Sequence, residues 1–260
     1  MEIRLDGRTA VITGGSKGLG LAMAKRFAES GAEVAILARG KPALDEAVSS
    51  IRSGTKTRIE GFVCDVARPQ DTTDAYERLM TAFGKIDILV NNAGQSRLST
   101  FENITDEMWQ EDIEQKLMGA IRMTRHVWPQ MKERRWGRVI NVLSINAKQQ
   151  RAGGAPTTVT RAAGLALTKV LAGEGAPHNV LVNALMVGSI ISDQIARRAK
   201  ARNDGVTLEQ MIADVGKEIP LGRMGTADEF ANVACFLASE AASYVTGAAL
   251  PVDGGKAAFI

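Results

Sequence analysis

Short apolar runs alternate with longer amphipathic stretches along the whole chain. Residues 8–13, 33–38, 57–65, 86–90, 137–143, 179–185 and 248–252 read as strands. Between them, apolar residues recur at helical spacing. One helix follows a glycine cluster through Ala22, Phe27 and Ala28 to near Gly31. Others cover 41–51, 69–83 (Tyr76, Leu79, Met80, Phe83), 158–173 and 228–239, with a helical excursion over 192–215. A long helix is predicted over 106–132, with Met108, Trp109, Ile113, Leu117, Ile121, Val127, Trp128 and Met131 as its apolar positions. Near-continuous apolar strands separated by helices predict an α/β fold, a doubly wound parallel sheet covered on both faces. No linker, repeat or low-complexity stretch divides the 260 residues, so residues 1–260 are expected to form a single domain.

In such folds ligands bind beyond the carboxyl ends of the strands. Here those ends carry the loop at Gly14, then Asp65, residues 91–94, Ser144 and Gly188, so one cleft can be drawn through them. The strongest signal is Gly14-Gly15-Ser16-Lys17-Gly18-Leu19-Gly20, placed between a strand and a helix. Missing side chains let backbone approach a dinucleotide pyrophosphate, and the helix N-terminus offers unpaired N–H groups.

Composition narrows the class. Apolar residues make up 45% of the chain and the formal charge is +3. Basic residues cluster at 132–135 and 197–202, where they read as solvated helix ends; no recognition pattern for nucleic acid accompanies them. No apolar stretch is long enough for a membrane span, and no leading signal segment is visible. Cys64 and Cys235 lie in apolar runs and read as buried thiols; with only His126 and His178 beside them, no metal site is expected. A soluble, cytoplasmic protein is the expectation.

Four motifs then carry a resemblance. Thr13 through Gly20, Asp65-Val66, Asn91-Asn92-Ala93-Gly94 and the tail from Pro220-Leu221-Gly222-Arg223 to Val252-Asp253-Gly254-Gly255 follow one another as in the short-chain dehydrogenases/reductases. The chain resembles that family from end to end, which implies a Rossmann-like domain, a nicotinamide cofactor and alcohol–ketone chemistry. The resemblance implies cofactor contacts at Gly14, Ser16, Lys17, Gly18, Leu19, Gly20, Asp65, Val66, Asn91, Ala93, Gly94, Gly188 and Ser192. It also implies a homodimer or homotetramer built on the long helix, the 158–173 helix and the last strand. Members mostly use an Asn, a Ser, a Tyr and a Lys. The serine position falls on Ser144, but the Tyr-x-x-x-Lys pair falls on Thr157 and Arg161, and the asparagine on Lys116. A threonine hydroxyl is a far weaker acid than a phenol near pKa 10, so the usual proton relay is absent. Thr157 and Arg161 share a helix face, leaving the guanidinium to hold the nicotinamide ribose. If Lys116 points into the cleft, its ammonium supplies the proton directly or through water.

An acidic residue ending the second strand suits NAD. This chain has Ala38 there, then Arg39, with Lys17 in the glycine loop; two cations and no carboxylate favour NADP(H). Residues 189–215 are expected to form a substrate lid, and 96–101 and 146–151 the other walls, with Lys148 or Arg151 available to an anionic group. Three functions fit: an NADP(H)-dependent oxidoreductase acting on a carbonyl or alcohol through an altered relay; a lyase, isomerase or hydrolase on the same scaffold; or a catalytically silent NADP-binding protein.

Overall fold

The computed structural model describes residues 3–192, 195 and 205–259. In chain order its elements are β1 (Thr9–Thr13), α1 (Gly18–Glu29), β2 (Glu33–Ala38), α2 (Lys41–Arg52), β3 (Ile59–Val63), α3 (Pro69–Phe83) and β4 (Ile88–Asn91). After them come β5 (Leu98–Ser99), α4 (Asp106–Ile113), α5 (Gly119–Glu133), β6 (Gly137–Ser144), β7 (Ala155–Pro156) and α6 (Thr157–Gly175). The chain then runs through β8 (Val180–Val187), α7 (Leu208–Lys217), α8 (Ala227–Ala238) and β9 (Ala249–Val252). Among the described residues seven strands form one parallel sheet in the order β3–β2–β1–β4–β6–β8–β9. The direction of winding reverses between β1 and β4, which opens a crevice at their carboxyl ends.

Alternate residues of each strand serve opposite faces. Ile12, Ile36 and Val90 pack with Phe27 of α1 and Phe230 of α8. Val11, Leu37, Leu89 and Val139 face Leu79 of α3 and Met123 and Val127 of α5. Each fully buried Leu, Ile, Val or Phe contributes roughly 1.5–3 kcal/mol, so both faces fix the sheet firmly enough to aim its loops.

Two features depart from the pattern read in the sequence. The long helix is broken by a π-helical turn, Glu114–Met118, between α4 and α5. Its wider winding shifts the register, so Lys116 is buried while Leu117 is only half-buried. Gly119 follows, where a Cβ would lie 2.9 Å from Val66 Cγ2. Second, β5 and β7 pair antiparallel as a two-residue ribbon beside the crevice, too short to read from alternation. Of the excursion at 192–215, α7 is described; Asp193, Gln194 and residues 196–204 lie outside the described residues. Cys64 and Cys235 are buried free thiols, and burial pushes the Cys64 thiol up to about 12. His126 stacks on Tyr76, with ring centroids 5.1 Å apart. Among the described residues no helix is long and apolar enough to cross a membrane.

Candidate active site

A cleft of about 590 Å³ opens above β1, β4, β6 and β8, lined from the glycine loop through Ser144 to Ile195. Its volume suits a small-molecule site. The glycine loop forms one end. Gly14 adopts φ +66°, and a Cβ there would lie 3.0 Å from Ala93 Cα; a Cβ on Gly20 would overlap the Gly14 carbonyl oxygen. Gly18, at φ +54°, has open space where its Cβ would be, so backbone faces the cleft directly. Lys17 caps α1 without a side-chain hydrogen bond to its first turn, leaving those N–H groups for a ligand. Lys17 and Arg39 are exposed at this end and have no ion-pair partner among the described residues. A phosphate-bearing dinucleotide fits this cradle: bare backbone, open N–H donors and two unpaired cations.

The loop is braced from β4. Asn92 donates from Nδ2 to the Thr13 carbonyl at 2.9 Å and the Gly14 carbonyl at 3.2 Å. Thr13 Oγ1 accepts from the backbone N–H groups of Asn92 and Ala93, both at 3.0 Å. The family resemblance points to Asn91 and not to Asn92 as a cofactor contact. Asn91 instead points into the interior, donating to Thr124 Oγ1 at 3.1 Å and Asn141 Oδ1 at 2.9 Å, and it does not line the cleft. This follows from strand alternation: consecutive asparagines face opposite ways. Gly14, Ser16, Lys17, Gly18, Leu19, Gly20, Arg39, Asp65, Val66, Ala93, Gly94, Gly188 and Ser192 all line the cleft. Gly188 is tightly placed, since a Cβ there would overlap Asp253.

Ser144, Thr157 and Arg161 all line the cleft. Ser144 Oγ accepts from the Asn146 N–H at 3.2 Å, which fixes it at the end of β6. Arg161 donates from Nη1 to the Val142 carbonyl at 2.7 Å, and its other terminal nitrogen lies where only a glycine at 94 leaves room. Burial lowers the Arg161 pKa to about 10, opposed by Asp112, so it stays cationic at neutral pH.

Lys116 does not line the cleft; its side chain is 1% exposed. Its Nζ donates to Thr157 Oγ1 at 2.6 Å and to Asp112 Oδ1, so it sits directly behind the threonine. Asp112, which no sequence motif marks, also accepts from Thr160 Oγ1 at 2.6 Å. Desolvation pulls the Lys116 pKa from 10.5 to about 8; Asp112 opposes the fall, while Arg161 and Arg97 add to it. The cluster therefore holds a cationic amine that can give up a proton near neutral pH, one hydroxyl away from the cleft.

The remaining walls are largely polar. Gln95, Ser96, Asn146, Gln149, Arg151 and Lys256 face the cleft, alongside Leu98, Ile145, Ile190 and Ile195. Lys148 lies over the Phe259 ring, 4.9 Å from its centroid, so of the two cations considered for an anionic group Arg151 is the one in the wall.

Comparison with known proteins agrees with this geometry. The family model described as enoyl-(acyl carrier protein) reductase matches residues 14–257. A 3-oxoacyl-(acyl-carrier-protein) reductase of Aquifex aeolicus is 34% identical over 255 residues, covering 98% of this chain and 99% of its own. The L-sorbose reductase of Gluconobacter frateurii, solved with NADPH and L-sorbose, superposes with a TM-score of 0.96 at 35% identity, over 100% of both chains. A short-chain oxidoreductase of Pseudomonas aeruginosa, described as containing an atypical catalytic center, is 36% identical with a TM-score of 0.91, over 99% of this chain and 100% of its own. With the sheet order, the glycine cradle and these full-length matches together, the chain belongs to the short-chain dehydrogenase/reductase family.

Proposed function

We propose that this protein is an NADP(H)-dependent oxidoreductase that interconverts a small carbonyl compound and its alcohol through an atypical proton relay. The observation that carries this reading is that Ser144, Thr157 and Arg161 line the same cleft as the glycine cradle, with the Lys116 ammonium 2.6 Å from the Thr157 hydroxyl oxygen. In this reading Thr157 and Arg161 stand where relatives carry tyrosine and lysine, and Lys116 where they carry asparagine. The L-sorbose reductase and the Pseudomonas protein support the cofactor class and the altered centre by analogy.

Bound NADP(H) supplies or accepts the hydride. The chain's own residues do the rest. Ser144 donates a hydrogen bond to the carbonyl oxygen and gathers the charge that develops there. Arg161 holds the nicotinamide ribose hydroxyls. Lys116 is the acid, and the Thr157 hydroxyl passes its proton to the nascent alkoxide. Lys17 and Arg39 take the 2′-phosphate, while Asp65 and Val66 flank the adenine. The segment at 189–215, whose Ile190 and Ile195 line the cleft, serves as the substrate lid. The protein acts in the cytoplasm as a homodimer or homotetramer.

Cofactor titration with NADPH and NADH tests this first, followed by a cofactor-oxidation screen against ketones and aldehydes. NADPH is expected to bind more tightly, with turnover on at least one carbonyl. Arg39→Ala should weaken NADPH about 10- to 100-fold, the loss of a charge-assisted bond, and leave NADH unmoved. Equal binding of both cofactors would remove the assignment of Arg39. NADPH binding without turnover on any carbonyl would favour a non-redox or regulatory role.

A further inference from the structure

Asp112 has no part in the chemistry so far, yet both of its carboxylate oxygens are engaged behind the cleft. Its side chain, like that of Lys116, is 1% exposed. Oδ1 accepts from the Lys116 ammonium, and Oδ2 from Thr160 Oγ1 at 2.6 Å. Thr160 Oγ1 also lies 3.0 Å from the Thr157 carbonyl, but the charged acceptor is nearer.

The hydroxyl of Thr157 completes the pattern. Its oxygen accepts from Lys116 at 2.6 Å and from the Arg97 backbone N–H at 2.8 Å, which uses both lone pairs. Its own hydrogen is then the one thing left to give. The nearest protein acceptor, Asp112 Oδ1, is 3.4 Å away, long for an O–H···O bond, whereas Thr157 is a residue of the cleft lining. Asp112 thus holds the ammonium on the far side of the threonine, and the arrangement turns the threonine outward as a donor.

We propose that Asp112, fixed by Thr160, is a positioning residue for proton transfer: its carboxylate keeps Lys116 protonated and aimed at Thr157. This rests on the reading of Lys116 as the acid. In the reductive direction the alkoxide oxygen takes the Thr157 hydroxyl proton. The Thr157 oxygen takes one from the Lys116 ammonium, leaving a neutral amine beside the Asp112 carboxylate. Solvent water returns a proton to Lys116 between turnovers. One proton moves at each step and no electrons do. Alcohol oxidation runs the same steps backwards, with neutral Lys116 as the base.

The groups facing Lys116 set the pH at which this operates: Asp112 from α4, Thr157 and Arg161 from α6, and Arg97 from the loop before β5, itself paired to Glu111. With the lysine titrating near 8, carbonyl reduction is expected to fall as pH rises through that value and alcohol oxidation to rise.

The test follows the Lys116 side chain by NMR in cofactor-free protein carrying isotope-labelled lysine, its signal assigned by its loss in Lys116→Arg. Asp112→Asn should move the lysine's titration midpoint down by at least about one pH unit, and the alkaline limb of the reduction profile with it. An unchanged midpoint would make Asp112 a merely structural partner and overturn the proposal. Should Asp112→Asn fail to fold, Thr160→Val carries the test, since it removes one hydrogen bond at nearly constant shape. It should lower kcat at least tenfold with KM and NADPH affinity unmoved, and Thr160→Ser should restore it; unchanged kcat overturns the proposal. A wild-type protein that reduces no carbonyl would sink the reductase reading, while the lysine titration would still decide whether Asp112 governs Lys116.

Discussion

At the scale of single residues, the Lys116–Asp112 pair is the most consequential feature and the least legible one. An aspartate four residues before a lysine in an amphipathic stretch reads as a solvated helix pair. Lys116 stood out in the sequence only because it replaced an asparagine in a family pattern, and nothing marked Asp112. Behind the cleft, Thr157 and Thr160 of α6 meet them. The sign of the energetics follows from burial. The folded-state pKa of Lys116, about 8, lies below the 10.5 of an unfolded chain. Between those values the unfolded chain holds more protons, so this group makes the fold more stable as pH rises through the interval. Removing one member strands the other's charge. Lys116→Met is therefore expected to cost about 3–5 kcal/mol in urea unfolding, whereas Asp112→Leu with Lys116→Met should recover most of it. If the double variant is as unstable as the single one, the pair is not an isolated electrostatic unit.

At the scale of elements, what the sequence made plain was set by hydrophobic periodicity, and what it hid was set by register. The strands of the main sheet and the helix of the glycine cradle lie within a few residues of their predicted places, because each is a strongly apolar or strongly periodic run. The π-helical turn at Glu114–Met118 is invisible in the sequence because the apolar spacing continues across it; only a shift in which side chain faces inward betrays the extra winding. That shift brings Lys116, not Leu117, to the back of the active-site wall. The consecutive asparagines after β4 show the same limit: the motif was legible, but which amide braces the loop depends on pleat. The cradle itself allows a sharp prediction. With Gly20 facing the Gly14 carbonyl oxygen at less than van der Waals distance from any added Cβ, Gly20→Ala must displace the loop from α1. NADPH binding should fall at least tenfold by fluorescence titration, beyond what the loss of stability alone explains. Gly18→Ala meets no atom but is strained by its positive φ, so it should fold less stably and bind with a smaller loss.

At the scale of the whole molecule, α6 carries both residues of the site and an exposed apolar side. Its inner face carries Thr157, Thr160 and Arg161, while Val159, Ala166 and Val170 remain exposed along its outer side. Val159 and Val170 are eleven residues apart, three helical turns within about 20°, so they stand in one line. Each is more than half exposed, at 52% and 58%. An apolar stripe on a 19-residue helix beside the catalytic wall is a surface that a second copy would cover by two-fold symmetry, pairing like residues with like. Wild-type protein is then expected to run as a dimer or tetramer in light scattering at micromolar concentration. Val159→Glu with Val170→Glu, which sets like charges against each other across such an axis, should shift it to smaller species. Because the opposite face of the same helix holds Thr157 and Thr160 in place, dissociation should also lower kcat while NADPH, held mainly by the distant glycine cradle, still binds. A monomeric wild type, or an unchanged assembly in the charged variant, would put the interface elsewhere and leave α6 with its catalytic face alone.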